Sequence, residues 1–158
     1  MRKVVAGLFI TLDGVVEAPV KWQEHFDEDM EQALVEQLAS QDAVLLGRVT
    51  YQEWAPYWPT ATDEPFAGFI NSTPKYVFSS TLESVEAWKN SILIKGDLAQ
   101  AIAQLKQLPG KNIGTAGSPS LVSSLLEQDL LDELILLIHP VVAGKGKRLF
   151  QDGAASRD

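Results

Sequence analysis

Residues 43–54 read AVLLGRVTYQEW: a short apolar run, then a glycine, an arginine and a polar segment. The run at 43–46 predicts a strand that is buried on both faces of a sheet. Thr50 and Glu53 have the T-x-x-E spacing of a capping box, which predicts that a helix begins at Thr50. A strand joined directly to a helix is the repeating unit of an α/β fold.

The same alternation continues on both sides of this unit. Apolar runs predict strands at 4–10, 76–78, 92–94, 112–115 and 134–142. Helical spacing of apolar residues predicts helices from Asp27 onward, over 98–105 and over 121–126. Residues 134–142 form the longest apolar run, and we expect a central strand there. The pattern predicts a layered α/β domain with a largely parallel sheet.

Composition sets the class of protein and excludes several functions. The chain has 158 residues, so we expect a single domain spanning 1–158. It contains no cysteine, which excludes disulfides and thiolate metal sites. No stretch is long and apolar enough for a membrane helix or a signal peptide, so we expect a cytoplasmic location. The net charge of −8 disfavours nucleic acid and anionic membranes as partners.

Two strand-to-helix junctions carry the strongest signals for binding an anion. At the first, Gly47 and Arg48 precede Thr50, where backbone N–H groups and a guanidinium favour a phosphate. An exposed arginine beside a well-capped helix is the alternative explanation. On the first explanation, Arg48 gives the chain a local cationic site although its net charge is negative.

The second junction, GTAGSPS at residues 114–120, leads into the helix predicted at 121–126. Gly114 and Gly117 permit close approach to a ligand, and Ala116 keeps the space open. Ser118 suits the N-cap of the helix and Pro119 suits its first position. This turn fits a pyrophosphate, although a plain glycine turn explains the same residues equally well.

Two other chemistries lack the residues they require. His25 and His139 are far apart and have no cysteine partner, so we expect no metal site. No G-x-S-x-G elbow is present to anchor a Ser-His-Asp hydrolase.

Taken in order, the motifs resemble the reductase (C-terminal) domain of bifunctional riboflavin-biosynthesis deaminase/reductases, in the dihydrofolate-reductase-like superfamily. The chain is most similar to stand-alone members without the deaminase half. The resemblance covers nearly the whole chain and rests on TLDG at 11–14, LGRVTY at 46–51, GTAGS at 114–118, LLDEL at 130–134 and HPVVAGKGKRLF at 139–150.

This resemblance implies a three-layer fold with a central, mostly parallel mixed sheet, and NADPH across the carboxyl ends of its strands. It assigns phosphate contacts to Gly47, Arg48 and Thr50, with Arg48 facing the adenosine 2′-phosphate. It places Ser79 and Ser80 near the adenosine, and residues 114–118 against the diphosphate. By the same analogy the substrate is a phosphoribosylamino-pyrimidinone of riboflavin biosynthesis, reduced at the ribose.

The substrate side is expected between residues 13–22 and 50–58. Asp13 follows the first strand, where a carboxylate can bind a substrate or relay a proton. A turn aspartate before Gly14 is the alternative. Trp22, Trp54 and Trp58 offer flat surfaces for a heterocycle, although core packing explains them equally well.

The family continues after residues 149–150 into further strands, whereas this sequence ends at Asp158. Either the sequence is shortened or a partner chain completes the sheet edge, and we expect a homodimer with the C-terminal segment near its interface. Two functions remain open: an NADPH-dependent reductase, and a nucleotide-binding sensor or scaffold without efficient catalysis.

Overall fold

The computed structural model of the protein describes residues 2–23 and 27–150. We number its strands β1 Val4–Thr11, β2 Gln41–Gly47, β3 Lys75–Phe78, β4 Ser91–Ile94, β5 Asn112–Thr115 and β6 Glu133–His139. The helices are α1 Glu28–Ala39, α2 Arg48–Trp54, α3 Phe66–Ser72, α4 Leu98–Gln107 and α5 Pro119–Glu127. Short 3-10 turns lie at Pro19–Lys21 and Trp58–Thr60.

The six strands form one sheet in the order β4-β3-β2-β5-β1-β6. Every strand pair within this sheet is parallel. The described part of the chain adds one isolated antiparallel bridge, between Val15 and Arg148. The expected α/β architecture with a parallel sheet flanked by helices is therefore confirmed.

Alternating side chains of β2 divide the core between the two faces of the sheet. Val44 and Leu46 pack in one cluster with Tyr51 of α2 and Ile70 of α3. The residues between them face the opposite side: Ala43 and Leu45 pack there with residues of α4 and α5. A strand covered on both faces needs apolar residues at successive positions, which explains the continuous run at 43–46.

The strand predicted as central, at residues 134–142, is instead the edge strand β6. It ends at His139 and, among the described residues, pairs with β1 alone. Its outward side chains are exposed, with Ile138 at 56%. The prediction was wrong because a long apolar run signals packing on a sheet face, and says nothing about which strands lie on either side.

The start of α2 differs from its prediction, and the sequence pattern did not predict helix α3. Helix α2 begins at Arg48 with Gly47 as its N-cap, and no side chain caps it. Thr50 therefore lies inside the first turn, so the predicted capping box does not form. The prolines flanking α3 obscured its pattern, although Ala67 and Ile70 are buried at helical spacing.

Lys75 on β3 is fully buried among apolar residues. Its ammonium donates to the carbonyl oxygens of Ile70 at 2.8 Å and Thr73 at 3.2 Å, at the C-terminal end of α3. It also lies 4.5 Å from the centre of the Trp88 ring. Burial lowers the pKa of Lys75 from its ordinary 10.5 to about 8, because the desolvated charge is disfavoured.

This shift makes stability depend on alkaline pH. Between the folded pKa near 8 and the unfolded value near 10.5, the unfolded chain binds the extra proton, so stability rises with pH. We expect the free energy of unfolding of the wild type, relative to Lys75→Met, to increase by roughly 2–4 kcal/mol from pH 7 to pH 10.5. Urea titrations at several pH values measure this difference, and a constant difference would contradict it.

The exposed edge of β6 supports the homodimer expected from the sequence, which stays a prediction; residues 151–158 lie outside the described part. We expect sedimentation velocity at micromolar concentration to show a dimer, and Ile138→Lys to shift it toward monomer. Leu108→Lys, at the C-terminal end of α4, is the control because Leu108 is similarly exposed, at 52% against 56% for Ile138. A monomeric wild type would refute the prediction.

Candidate functional site

The carboxyl ends of the parallel strands open into a cleft of about 1690 Å³. It forms where the strand order reverses. Strands β2 and β5 are neighbours, but α2 follows β2 onto one face and α5 follows β5 onto the other. The two helix starts therefore diverge, and they leave a crevice of the kind in which open parallel sheets bind ligands.

The two junctions singled out in the sequence meet at this crevice and are hydrogen-bonded to each other. The Ser118 N–H donates to Thr50 Oγ1 at 3.0 Å. The Gly47 N–H donates to Ser118 Oγ at 2.8 Å, and that hydroxyl donates to the Ala116 carbonyl at 3.2 Å. Thr50 and Ser118 line the cleft, but their hydroxyl groups already hold the turns together.

Gly117 lies between these bonds with a φ of 55°, in the left-handed region that favours glycine. A Cβ atom there would lie 3.2 Å from Thr50 Cγ2 and 3.3 Å from Trp54 Cζ2. The missing side chain thus leaves backbone exposed to the cleft beside α5. Gly114, by contrast, is not a lining residue: its Cβ would fall 1.9 Å from Gln41 Oε1, so this glycine admits a glutamine side chain.

Cationic and hydroxyl groups cluster at the end of the cleft formed by β2, β3 and β4. Arg48 is exposed there, with Nη1 donating to Gln52 Oε1 at 2.9 Å. Ser79 and Ser80 line the same end, and Ser79 Oγ accepts the N–H of Leu82 at 3.0 Å. Lys95, directly after β4, adds a second cation that sequence reasoning missed. The position of Lys95 directly after the strand predicted at 92–94 was the sequence feature that could have identified it.

The structure places Asp13 outside the lining of the cleft. Its carboxylate accepts the hydroxyl of Thr11 at 2.5 Å and the N–H groups of Ala143 at 3.0 Å and Gly144 at 2.9 Å. These hydrogen bonds, with that of Thr11 the strongest cause, lower the pKa of Asp13 to about 2. The carboxylate is therefore ionised at neutral pH, and it anchors the loop after β6.

The three tryptophans separate into two places. Trp54 and Trp58 line the cleft with their ring centres 5.8 Å apart, and Phe66 packs against both. Trp22 instead packs edge-on against His139, with ring centres 5.3 Å apart, and is not a lining residue. Two of the three thus form an aromatic wall of the cleft, and their role in binding a substrate stays a prediction.

Helix α1 forms part of the cleft wall, and most of its contribution was not predicted. Asp27 caps this helix, with Oδ1 accepting the Met30 N–H at 2.9 Å. Glu31, Leu34 and Gln37 face the cleft instead. Gly7 in the middle of β1 was the available signal, because a glycine in a strand often marks close approach; here it admits the Gln37 side chain.

In the part of the chain that the structure describes, none of the helices is both long and apolar enough to cross a membrane.

Comparison with curated proteins finds two relatives from Bacillus subtilis (strain 168). The uncharacterized protein YyaP is 32% identical over 155 residues, which is 96% of this chain and 81% of YyaP. The uncharacterized protein YwjB is 29% identical over 154 residues, covering 96% of this chain and 84% of YwjB.

Solved structures show the same fold. A putative riboflavin biosynthesis protein from Shewanella sp. PV-4 superposes with a TM-score of 0.77 at 22% identity, covering 98% of this chain and 86% of that one. RibD from Acinetobacter baumannii gives 0.64 at 15% identity, over 99% of this chain and 51% of RibD. A deaminase/5-amino-6-(5-phosphoribosylamino)uracil reductase from Thermotoga maritima superposes with a TM-score of 0.65 at 18% identity. The superposition covers 99% of this chain and 49% of that one.

The chain thus spans about half of these two longer proteins and most of the shorter one. The resemblance inferred from the ordered motifs, to a stand-alone riboflavin-type reductase domain, is confirmed. The family model described as the RibD C-terminal domain matches residues 2–157, and the chain therefore belongs to that family.

Proposed function

We propose that the protein is an NADPH-dependent reductase that transfers hydride to a small heterocyclic or sugar-linked substrate. The observation that carries this proposal is the crevice at the reversal of strand order, where two hydrogen-bonded turns meet beside Arg48 and Lys95. Family membership supports a riboflavin-pathway reductase-like role, and the structurally similar Thermotoga maritima protein is a 5-amino-6-(5-phosphoribosylamino)uracil reductase.

The lining residues fit a phosphorylated dinucleotide. A side chain at Gly117 would crowd Thr50 and Trp54, so the absent Cβ leaves a cradle beside the start of α5. Backbone N–H groups of a first helical turn have no partner within the helix and favour an anion. Arg48 supplies a planar, permanently charged group for a 2′-phosphate, with Lys95, Ser79 and Ser80 at the same end.

Bound NADPH supplies the hydride, and the residues of the protein bind it, orient it and keep water away. Trp54, Trp58 and Phe66 form an apolar wall next to the cradle, which suits that shielding role. Asp13 does not supply a proton in this arrangement, because it is ionised and lies outside the cleft. Glu31 and Glu53 line the cleft from α1 and α2, and are better placed for proton transfer.

One observation favours the second candidate, a nucleotide-binding sensor or scaffold. The acid predicted from sequence for proton transfer is Asp13. Its carboxylate instead accepts hydrogen bonds from the backbone of the loop after β6. NADPH oxidation at 340 nm against pterins, pyrimidinones, quinones and aldehydes separates the two functions. Tight NADPH binding without turnover of any of these substrates supports the sensor. The cytoplasmic location expected from the sequence also stays a prediction.

Cofactor preference is the first test. Because Arg48 faces the cleft as a cation, NADPH should bind more tightly than NADH. We expect Arg48→Ala to weaken NADPH binding by roughly 10–100-fold, with little change for NADH, as for loss of a charge-assisted phosphate contact. Calorimetric titration measures both affinities. Lys89→Ala, at an exposed position outside the cleft, is the control. Equal wild-type affinities for the two cofactors would refute the assignment.

The bond between the two turns is the second test. Thr50→Val keeps the shape of the side chain but leaves the buried Ser118 N–H without its acceptor. We expect a loss of about 1–3 kcal/mol in the free energy of unfolding, together with weaker NADPH binding. Thr50→Ser retains the hydroxyl and should keep both properties near wild type. If Val and Ser variants bind NADPH equally well, the bond does not shape the site.

A further inference from the structure

Two of the sequence motifs contribute no residue to the proposed function: TLDG at 11–14 and HPVVAGKGKRLF at 139–150. The structure joins them by hydrogen bonds beside the cleft. We propose that together they present Lys147 as a further residue that binds the diphosphate of the dinucleotide, with Asp13 and Glu17 as its positioning residues. This inference rests on the proposed function and adds to it a contact that NADPH and NADH share.

Lys147 is a cation of the cleft that no carboxylate neutralises. It lines the cleft, and its ammonium donates to the hydroxyl of Ser120, which is a lining residue as well. Within residues 2–23 and 27–150, Lys147 forms no ion pair. The next residue differs, because the guanidinium of Arg148 donates to the Asp13 carbonyl at 2.9 Å and lies 3.7 Å from its carboxylate. The charge of Lys147 is therefore left for an anion in the cleft.

The position of Ser120 indicates which anion this is. Ser120 is the second residue of α5 and follows Gly117, whose missing side chain leaves the cradle. The ammonium of Lys147 thus lies on the α5 side of the cleft, whereas Arg48 begins α2 and Lys95 follows β4. With Arg48 assigned to the 2′-phosphate, the anionic group of a dinucleotide that remains for Lys147 is the diphosphate.

The backbone of Lys147 is fixed on both sides of its side chain. Its N–H donates to Glu17 Oε2 at 2.8 Å, and its carbonyl accepts the N–H of Val16 at 3.0 Å. At Gly146, which has a φ of 122°, a Cβ atom would lie 2.8 Å from Val15 Cγ1, so the loop lies directly on this segment. A lysine whose backbone is already held loses less conformational freedom on binding, which favours affinity.

Asp13 holds the beginning of the same loop. Its two carboxylate oxygens accept the N–H groups of Ala143 at 3.0 Å and Gly144 at 2.9 Å. Hydrogen bonds from Thr11 first, and then from Gly144 and Ala143, lower the pKa of Asp13 to about 2, so this acceptor stays ionised at neutral pH. Because Asp13 does not line the cleft, it acts on a ligand through the loop that carries Lys147.

The first experiment separates the diphosphate from the 2′-phosphate. Calorimetry of the full chain follows NADPH, NADH and adenosine 2′-phosphate, which lacks the diphosphate. We expect Lys147→Met to weaken NADPH and NADH by the same factor, about tenfold, and to leave adenosine 2′-phosphate unchanged. Lys145→Met removes the same charge from an exposed position of the loop outside the cleft, and should leave all three affinities near wild type.

The outcomes that contradict the assignment are distinct. A loss confined to NADPH would place Lys147 at the 2′-phosphate, and an equal loss in Lys145→Met would reduce the effect to net charge; either result would overturn the inference. If the wild type binds both dinucleotides and Lys147→Met changes neither affinity, this inference fails and the proposed function stands. If the wild type binds neither dinucleotide, both fail.

A second experiment tests the positioning role on Glu17, which is exposed and is therefore replaced with little risk to folding. Glu17→Gln and Glu17→Met remove the same charge, but only glutamine keeps an oxygen that accepts the Lys147 N–H. We expect Glu17→Met to weaken both dinucleotides several-fold and Glu17→Gln to stay near wild type. In a Lys147→Met background the two variants should bind equally, because the residue that Glu17 positions is gone. A difference that persists in this background would overturn the positioning role.

Discussion

Hydrogen bonds between the turn after β2 and the turn after β5 are the constraint on which the cleft depends. Helices α2 and α5 leave neighbouring strands toward opposite faces, so nothing in either βα unit alone fixes the distance between their first turns. Thr50 Oγ1 accepts from Ser118 N–H, and Ser118 Oγ accepts from Gly47 N–H. Because Ser118 and Thr50 are buried, these bonds are not readily exchanged for water, and they hold the crevice at one width.

This bonding changes the roles of the residues at the junctions. Hydroxyl groups that the sequence suggested as ligand contacts are largely used within the protein. What faces the cleft is backbone beside Gly117, the exposed cation of Arg48 and the cation of Lys95. Under the proposed function, fixed backbone N–H groups and long cationic side chains would together bind the phosphates of the cofactor.

Glycines in the middle of strands build the other half of the site. Gly7 and Gly114 remove side chains from one face of the sheet, and glutamines from α1 and the start of β2 occupy the space. A polar layer thus lies where apolar packing is the rule, and α1 has no fully buried residue. Helix α1 therefore covers a polar layer of glutamine side chains. Such a layer suits a pocket for a polar heterocycle better than it suits a hydrophobic core.

The amino-acid sequence by itself determined the succession of βα units and the two turns that meet at the cleft, because apolar runs, glycines and Ser-Pro helix starts are local signals. It did not reveal that residues 134–142 lie at an edge, or that Thr50 bonds across to Ser118. It also did not show that Asp13 turns toward Ala143, or that Glu31 and Gln41 face one cavity with Trp54. Only the tertiary structure decided these points, since they depend on which strands become neighbours and on which face each helix packs. Residues far apart in sequence meet through that choice, and no local pattern encodes it.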